Sequence, residues 1–515
     1  MLPTLLVILL GASAVGCTRS VHTLDTARDA FCQGDLLTAR DTLAELSTGP
    51  ARLRDSVELD LAMVELASGE PHQAEKRLLG LRNRFNSAPK IAPLREAASI
   101  VTDDNARAFR PAGYEEVMVR AMLSICSLAG DQVDAESYSL QATKKQAELA
   151  RVASERGVSE ATSAYQPIAL APYLRGILRE ATHHDYDDAT RAYQLVSSVR
   201  PQFAPAQADI ARASGGTHSS PGHGVLYVIA CVGRGPVLQE TTAPTTTVAL
   251  TIASSVLNAE TNETAHEDGG PDRVDGPVLP NIASVKVPHV VIPPSDIAAV
   301  GVRVNGQLHG ATQTLTDVGE LAIQQVEAEM PWTIARAVVR RVSKETAVAT
   351  VGDSLGLDGT AGSLFHFAAA SAWSGVEHAD TRCWSLLPRE IQVLRTELPA
   401  GSHEINLHPM DCDGGALTPG QVARVNIIDG RNQYLIAVAP DRAMYVVTSP
   451  DTLESAPSVQ RTASTAQRTA VAPSYATPEL SIPKASTPRR PAPTSQPHMA
   501  RGPVEFSISS DSVNR

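Results

Sequence analysis

The residues best placed by type and spacing to do chemistry are Gly352-Asp353-Ser354-Leu355-Gly356, which follow the apolar run Ala347 to Val351. G-x-S-x-G is the spacing of a nucleophile elbow, in which a tight strand-to-helix turn lifts a serine Oγ for acyl transfer. Such a serine needs a base. The histidines that follow are His366, His378, His403, His408 and His498, and the residues three before them are Ser363, Gly375, Ala400, Ile405 and Ser495, so none carries an aspartate in the orienting position. The expectation is a glycine-rich turn joining two helices, not a catalytic serine. His403 and His408, with Asp411 and Asp413 close by, have metal-ligand chemistry, but a spacing of five on an extended strand puts the two rings on opposite faces. Asp411-Cys412-Asp413-Gly414-Gly415 is too short for a calcium loop and reads as a turn. His183-His184 with Asp185, Asp187 and Asp188 reads as a polar turn. No metal or cofactor is expected. Arg336, Arg340 and Lys344 recur at i, i+4 and i+8, with Arg341 alongside, and form one helical stripe. A solvated face is the simplest role for it, and an acidic partner the sharper one.

Composition narrows the classes further. The net charge is -12 and aromatic residues make up 4% of the 515. Phosphate binding needs clustered Lys and Arg, and ring-stacking platforms need exposed aromatics. Nucleic acid is therefore excluded as an expected partner. Six cysteines occur, and beyond Cys17 the odd set Cys32, Cys126, Cys231, Cys383 and Cys412 has no C-x-x-C spacing. Zinc and dithiol redox chemistry lack support. Cys383 and Cys412 are either a disulfide pair or two separate thiols.

The elements that would position these groups fall into three textures. From about 22 to 213, Ala, Leu, Glu, Gln and Arg dominate and apolar positions recur at three and four, which is the pattern of amphipathic helices. A repeat lies within it. Gly34 and Ala39 return 35 residues later as Gly69 and Ala74, with Leu43 and Leu46 returning as Leu78 and Leu81. The Gly-x4-Ala spacing recurs at Gly130 and Ala135, and a fourth unit carries Ala189, Tyr193 and Pro201 with His184 in the glycine's place. Gly allows the turn between two helices and Ala their close approach. The units resemble the tetratricopeptide (TPR) repeat, whose period is close to 34.

Ser214 to Gly222 reads as a linker, after which β-branched alternation begins. Strands are expected at Val225–Ile229, Thr247–Ile252, Val285–Ile292, Glu390–Leu398, His403–Leu407, Val422–Ile428 and Tyr434–Val447, with a loop over Thr261–Pro280. Thr316-Asp317 should cap a helix that runs toward Met330 and kinks or restarts at Pro331, and a second helix is expected over Leu364–Trp373. Beyond about 450 the chain turns to Pro, Ser, Thr and Ala and cannot bury enough surface to order itself.

The first seventeen residues set the expected location. Leu5 to Leu10 is too short to cross a bilayer, which takes roughly 20 residues, but suits the apolar core of an export signal. Ala14-Val15-Gly16-Cys17 resembles a bacterial lipobox, although Met1 to Thr4 lacks the usual Lys or Arg. That resemblance implies cleavage before Cys17 and acylation of Cys17, and Thr18 after it implies an outer-membrane more than an inner-membrane destination. The blocks Tyr114 to Val119, Thr316 to Arg340, and Ala379 to Ile391 with Leu398 to His403 resemble a family of uncharacterised bacterial TPR-containing envelope lipoproteins, over about residues 105 to 408. The family implies architecture and envelope location and supplies no catalytic residue. Ser354 has a parallel resemblance to the nucleophile block of GDSL esterases, whose D-x-x-H is missing here.

The expected organisation is thus multidomain: signal peptide 1–16, TPR-like all-α solenoid 17–213, linker 214–223, α+β domain 224–448 and disordered tail 449–515. The expected function is a lipid-anchored, non-enzymatic adaptor with a protein partner, in cell-wall or outer-membrane assembly. The alternatives are a Ser354 hydrolase and a structural component without a specific ligand.

Overall fold

Four helix-to-helix turns carry a left-handed residue: Gly34 (φ 104°), Gly69 (φ 77°), Gln132 (φ 66°) and His183 (φ 61°). They mark four helical hairpins in the computed structural model, which describes residues 22–88, 109–158, 161–268, 282–354 and 378–449. Cys17, the helix expected over Leu364–Trp373 and the tail beyond 450 lie outside the described residues.

The first hairpin pairs α1 (22–33) with α2 (Leu36–Ser47), and the second α3 (Ala51–Ala67) with α4 (Pro71–Ser87). The third pairs α5 (Gly113–Ala129) with α6 (Ala135–Glu155). After the short α7 (Ala161–Ala164) the fourth pairs α8 (Leu170–Glu180) with α9 (Tyr186–Val199), and α10 (Pro205–Ser214) follows. Across the connections from α2 through α10, successive long helices pack on one another. In the second helix of each hairpin, the amide of the fourth residue bonds back to an acidic cap: Ala39 to Asp35, Ala74 to Glu70, Tyr138 to Asp134 and Ala189 to Asp185. Ala39, Ala74 and Ala189 are fully buried.

The third unit departs from the expected register. Gln132, not Gly130, takes the left-handed turn, and Tyr138 stands where the other units have Ala, with the small Ala142 one turn on. Large and small have exchanged places. Gly130 is required for another reason: a Cβ there would lie 2.9 Å from the His72 ring. Ala135 is fully buried at the first position of α6.

The second half contributes two stacked sheets. The five-stranded sheet runs β11 (Tyr445–Thr448), β10 (Asn432–Ala439), β1 (His223–Arg234), β7 (Pro388–Pro399), β6 (Gln313–Asp317). β1 pairs parallel with β10 and antiparallel with β7. The four-stranded sheet runs β5 (Gln307–Ala311), β4 (Ala299–Val304), β8 (Gly401–Met410), β9 (Gln421–Ile427). Alternate residues of β1 serve two cores. Leu226, Val228, Ala230 and Val232 face the second sheet through Val300, Val302, Ile405, Leu407 and Val425. Val225, Tyr227, Ile229 and Cys231 join the helices through Val57, Met118, Leu174 and their neighbours.

Helices and sheets therefore share a core within one compact unit. The segment expected as a linker is a short connection: α10 ends at Ser214 and β1 begins at His223.

A smaller lobe corrects two local expectations. Thr247–Ile252 is not a strand but the start of helix α11 (Thr247–Asp268), which also takes in the beginning of the loop expected from Thr261. Its buried Ala249, Ala253, Val256 and Leu257 have helical spacing and pack on Ile334, Val338, Val339 and Val342 of α12 (Val318–Ser354). That contact lies against the hairpin of β2 (Val237–Pro244) and β3 (Ser284–Val291). Asp317 caps α12 by accepting from the Glu320 amide at 2.9 Å, and the helix continues through Pro331. Among the described residues no helix is long and apolar enough to cross a membrane.

Candidate functional site

A layer of helical hairpins has two faces on which a ligand can sit, and here the inner one is taken by the chain itself. The first helix of each hairpin carries an anchor to the sheet side. On α1 the Phe31 ring stacks on Tyr445 at 5.4 Å, and the Phe31 carbonyl accepts from the Tyr445 hydroxyl at 2.6 Å. On α3 the buried Asp60 accepts from the Leu386 amide at 2.9 Å and from Arg28 Nε at 2.8 Å. On α5 the Glu115 carboxylate accepts from the amides of Trp384 (2.6 Å) and Ala112 (2.7 Å). On α8 the Ile177 carbonyl accepts from Asn432 Nδ2 at 3.1 Å. Burial pushes the Glu115 carboxyl up to about 7, against the pull of the two amides. A buried acceptor of this kind costs about 1–3 kcal/mol if its donors are lost, so these anchors hold the helices and the sheet in one register.

The outer face is open. Between α6, α8 and α9 runs a groove of about 230 Å³ whose floor includes Leu140, Ala171, Pro172, Ala192 and Leu195. Leu140 and Leu195 are 43% and 39% exposed. Charge rims it: Arg175 lies 3.6 Å from Asp188, which also pairs with Arg191. Apolar floor with a charged rim is the make-up of a protein-contact surface.

A larger cavity, about 580 Å³, opens between α1, the β2–β3 hairpin and residues 381–387. Arg28, Arg234 and Arg382 line it but are held in ion pairs with Asp60, Asp29 and Asp380. Cys32 and Cys383 also line it, and burial raises each thiol to about 11, where it stays protonated and a weak nucleophile.

The remaining sequence-predicted residues are dispersed. The cationic stripe is not a solvated face: Arg340 is only 5% exposed and Arg336 half-buried, while Lys344 has no described side chain. α12 buries Ile334, Val338, Val339 and Val342 in the lobe, and Arg340, which lies among them in sequence, is buried too. Gly352 to Ser354 form the last turn of α12 and the preceding Ala347–Val351 run is helical, so the strand of a nucleophile elbow is missing there. His408 is buried against Gly301, whereas His403 bonds to the Pro399 carbonyl and Asn305. His183 reaches the Gly430 carbonyl at 2.6 Å, bridging the fourth helical turn to the sheet side. Asp411 Oδ1 caps its own turn by accepting from the amides of Asp413 and Gly415. Cys383 and Cys412 are free thiols, one buried and one exposed, and form no disulfide. Among the described residues no three His, Cys, Asp or Glu are grouped to hold a metal ion.

Sequence reasoning passed over Asp60, Glu115, Glu180 and Asp209, all buried. Their signal was present as carboxylates within otherwise apolar helical runs, such as Val57-Glu58-Leu59-Asp60-Leu61. No family model, curated protein or solved structure matches this chain.

Proposed function

We propose that this protein is a lipid-anchored lipoprotein of the bacterial envelope that acts as a non-enzymatic adaptor or scaffold, and that its partner docks on the outer face of TPR-like repeats. The observation that carries the reading is the groove around Leu140 and Leu195, an apolar floor with a charged rim on the helical surface. TPR-type layers commonly bind on their concave side. Here the chain's own sheet fills the inner side, which moves the docking surface outward. The Leu5–Leu10 core followed by Cys17 supports the anchor, Thr18 after it supports the outer membrane as its location, and the resemblance to envelope lipoproteins supports cell-wall or outer-membrane assembly as the setting.

A photo-crosslinking residue at Leu140 or Leu195, in cells, tests the reading against a Cys17→Ala control. One reproducible protein captured at both positions, and weakened without the anchor, is the expected result. Capture of nothing beyond abundant neighbours would overturn the adaptor. It would instead favour the second reading, a structural component without a specific ligand, which the filled inner face also supports.

A further inference from the structure

The turn of the fourth hairpin meets the sheet side through two histidine rings. His183, in the left-handed turn between α8 and α9, reaches the Gly430 carbonyl with Nε2 at 2.6 Å. His218, in the connection between α10 and β1, meets that ring edge to face, with centroids 4.9 Å apart. We propose that the pair is an acid-sensitive latch, which holds the fourth hairpin against the start of β10 while His218 is neutral and releases it when His218 takes a proton.

His218 is 1% exposed. Its Nε2 lies 2.7 Å from Asn432 Oδ1, while Asn432 Nδ2 donates to the Ile177 carbonyl of α8 at 3.1 Å and to the Tyr434 hydroxyl at 3.0 Å. The amide oxygen is thus the acceptor and Nε2 the donor, and one asparagine ties the ring, α8 and β10 together. Nδ1 lies 3.1 Å from Ser219 Oγ, which also reaches the His223 carbonyl at 2.9 Å. Nδ1 can accept the hydroxyl proton or, once protonated, donate to the oxygen, so hydrogen bonding does not choose between the two charge states. Burial and charge choose. The charged groups facing His218 are Glu180 of α8, His183 of the turn and Arg395 of β7. Glu180 is no free counter-ion, since Arg212 and the Tyr193 hydroxyl already occupy it. Arg395 donates Nη2 to the His218 carbonyl at 2.6 Å and brings a permanent positive charge to the same residue. Beside His183 are His184 and Asp185 in its own turn, and Asp429 and Arg431 flank Gly430 in sequence. Burial above all, with His183 and Arg395 behind it, holds the His218 imidazole below its usual value, against the Asn432 bond and Glu180. A ring that binds its proton more weakly in the closed latch than in the open one makes acid favour opening. Released, the ring regains an ordinary value near about 6.5, so the opening constant is flat above that and rises up to about tenfold per pH unit below it, until the closed value is passed. α8 and α9 also wall the groove around Leu140 and Leu195, so docking there would weaken in acid. That consequence rests on the adaptor reading, whereas the latch does not.

The test is hydrogen–deuterium exchange of the full-length lipoprotein in detergent, followed by mass spectrometry from about pH 8 to about pH 5 and corrected for the intrinsic pH dependence of amide exchange. The expected result is that protection in peptides covering 180–186 and 426–434 falls together below about pH 6.5, by up to about tenfold per unit, while peptides from α3 and α5 keep theirs. His218→Gln, neutral at every pH, should abolish this acid response. His183→Asn keeps a residue that tolerates the left-handed turn and removes the facing charge, so it should leave a smaller response, and it gives the same discrimination if His218→Gln does not fold. Protection in 180–186 that stays constant across the range overturns the proposal, as does an equal fall in the variants. A fall shared by α3 and α5 is global acid unfolding and overturns it too.

Discussion

Replacing Glu115 by glutamine should change how stability depends on pH, because this buried carboxylate carries the contact between α5 and Trp384. Glu115 is 1% exposed and its folded-state pKa is lifted from 4.5 to about 7, chiefly by desolvation. A pKa raised by folding means the folded protein binds more protons than the unfolded chain between those two values. The stability this group supplies is therefore full below about pH 4.5, falls as pH rises and is gone above about pH 7. At 1.36 kcal/mol for each tenfold change, the fall is roughly 3 kcal/mol. Glutamine does not titrate. It keeps one acceptor but turns an NH2 group toward the amide of either Trp384 or Ala112, a penalty of about 1–3 kcal/mol at every pH. Glu115→Gln should thus be less stable than wild type near pH 5, and the gap should close or reverse by about pH 8. Urea unfolding followed by tryptophan fluorescence reads this directly, since Trp384 is fully buried beside the site. A difference between the two proteins that stays constant from about pH 5 to pH 8 refutes the reasoning.

Three further outcomes are expected. Gly176→Ala places a Cβ 2.5 Å from the Tyr193 ring, which the Tyr193–Glu180 bond holds in place, so thermal unfolding should show a loss of about 1–3 kcal/mol. Leu140→Asp, at an exposed position of the outer groove, should leave stability within about 0.5 kcal/mol while abolishing crosslinks from Leu195; unchanged crosslinking counts against the groove. In Cys17→Ala protein, Cys412 should react rapidly with a thiol reagent under native conditions. The buried Cys32, Cys126, Cys231 and Cys383, all raised in pKa by desolvation, should react only on unfolding, and fast labelling of two thiols contradicts this.

What could be read beforehand followed from periodicity, and what could not followed from partners distant in sequence. The unbroken apolar run Val225–Ile229 and the alternation in Glu390–Leu398 locate β1 and β7 correctly, because a short apolar run after a glycine-rich break and a two-residue repeat are both strand signals. Thr247–Ile252 misleads because β-branched residues on the exposed side of α11 mask a helical stripe made of small Ala249 and Ala253. β2, β5 and β6 escape notice as short or half-exposed strands at sheet margins, and the interior β4 because it is only six residues long. The shared core had a visible sign that composition alone obscures. α5 is apolar over most of its circumference, from Val117, Met118 and Val119 through Met122, Leu123 and Ile125, beside the polar stripe Glu116, Arg120, Ser124 and Ser127, and a helix with so wide an apolar surface must be covered on more than one side. The burial of Arg340 is set by tertiary contacts across the lobe, which no local stripe reports. Asp209 of α10 and Arg395 of β7 line one cavity although 186 residues separate them in sequence, which no local pattern reports.

The parallel pairing of β1 with β10 also dictates an order of events during synthesis. β1 occupies the middle of its sheet, yet its neighbours β7 and β10 begin at Pro388 and Asn432, long after β1 ends at Arg234. The helical hairpins rest on near-neighbour contacts and can form as they emerge, whereas non-local strand pairings come late and slowly. Until residue 439 is available, the face built from Val57, Met118 and Leu174 has at most the single strand β1 to lie against, without the sheet that completes its cover. A nascent or truncated chain stopping anywhere between 214 and 432 therefore displays the sticky side of a finished helical array. Quality control would have to shield it, or protease would find it.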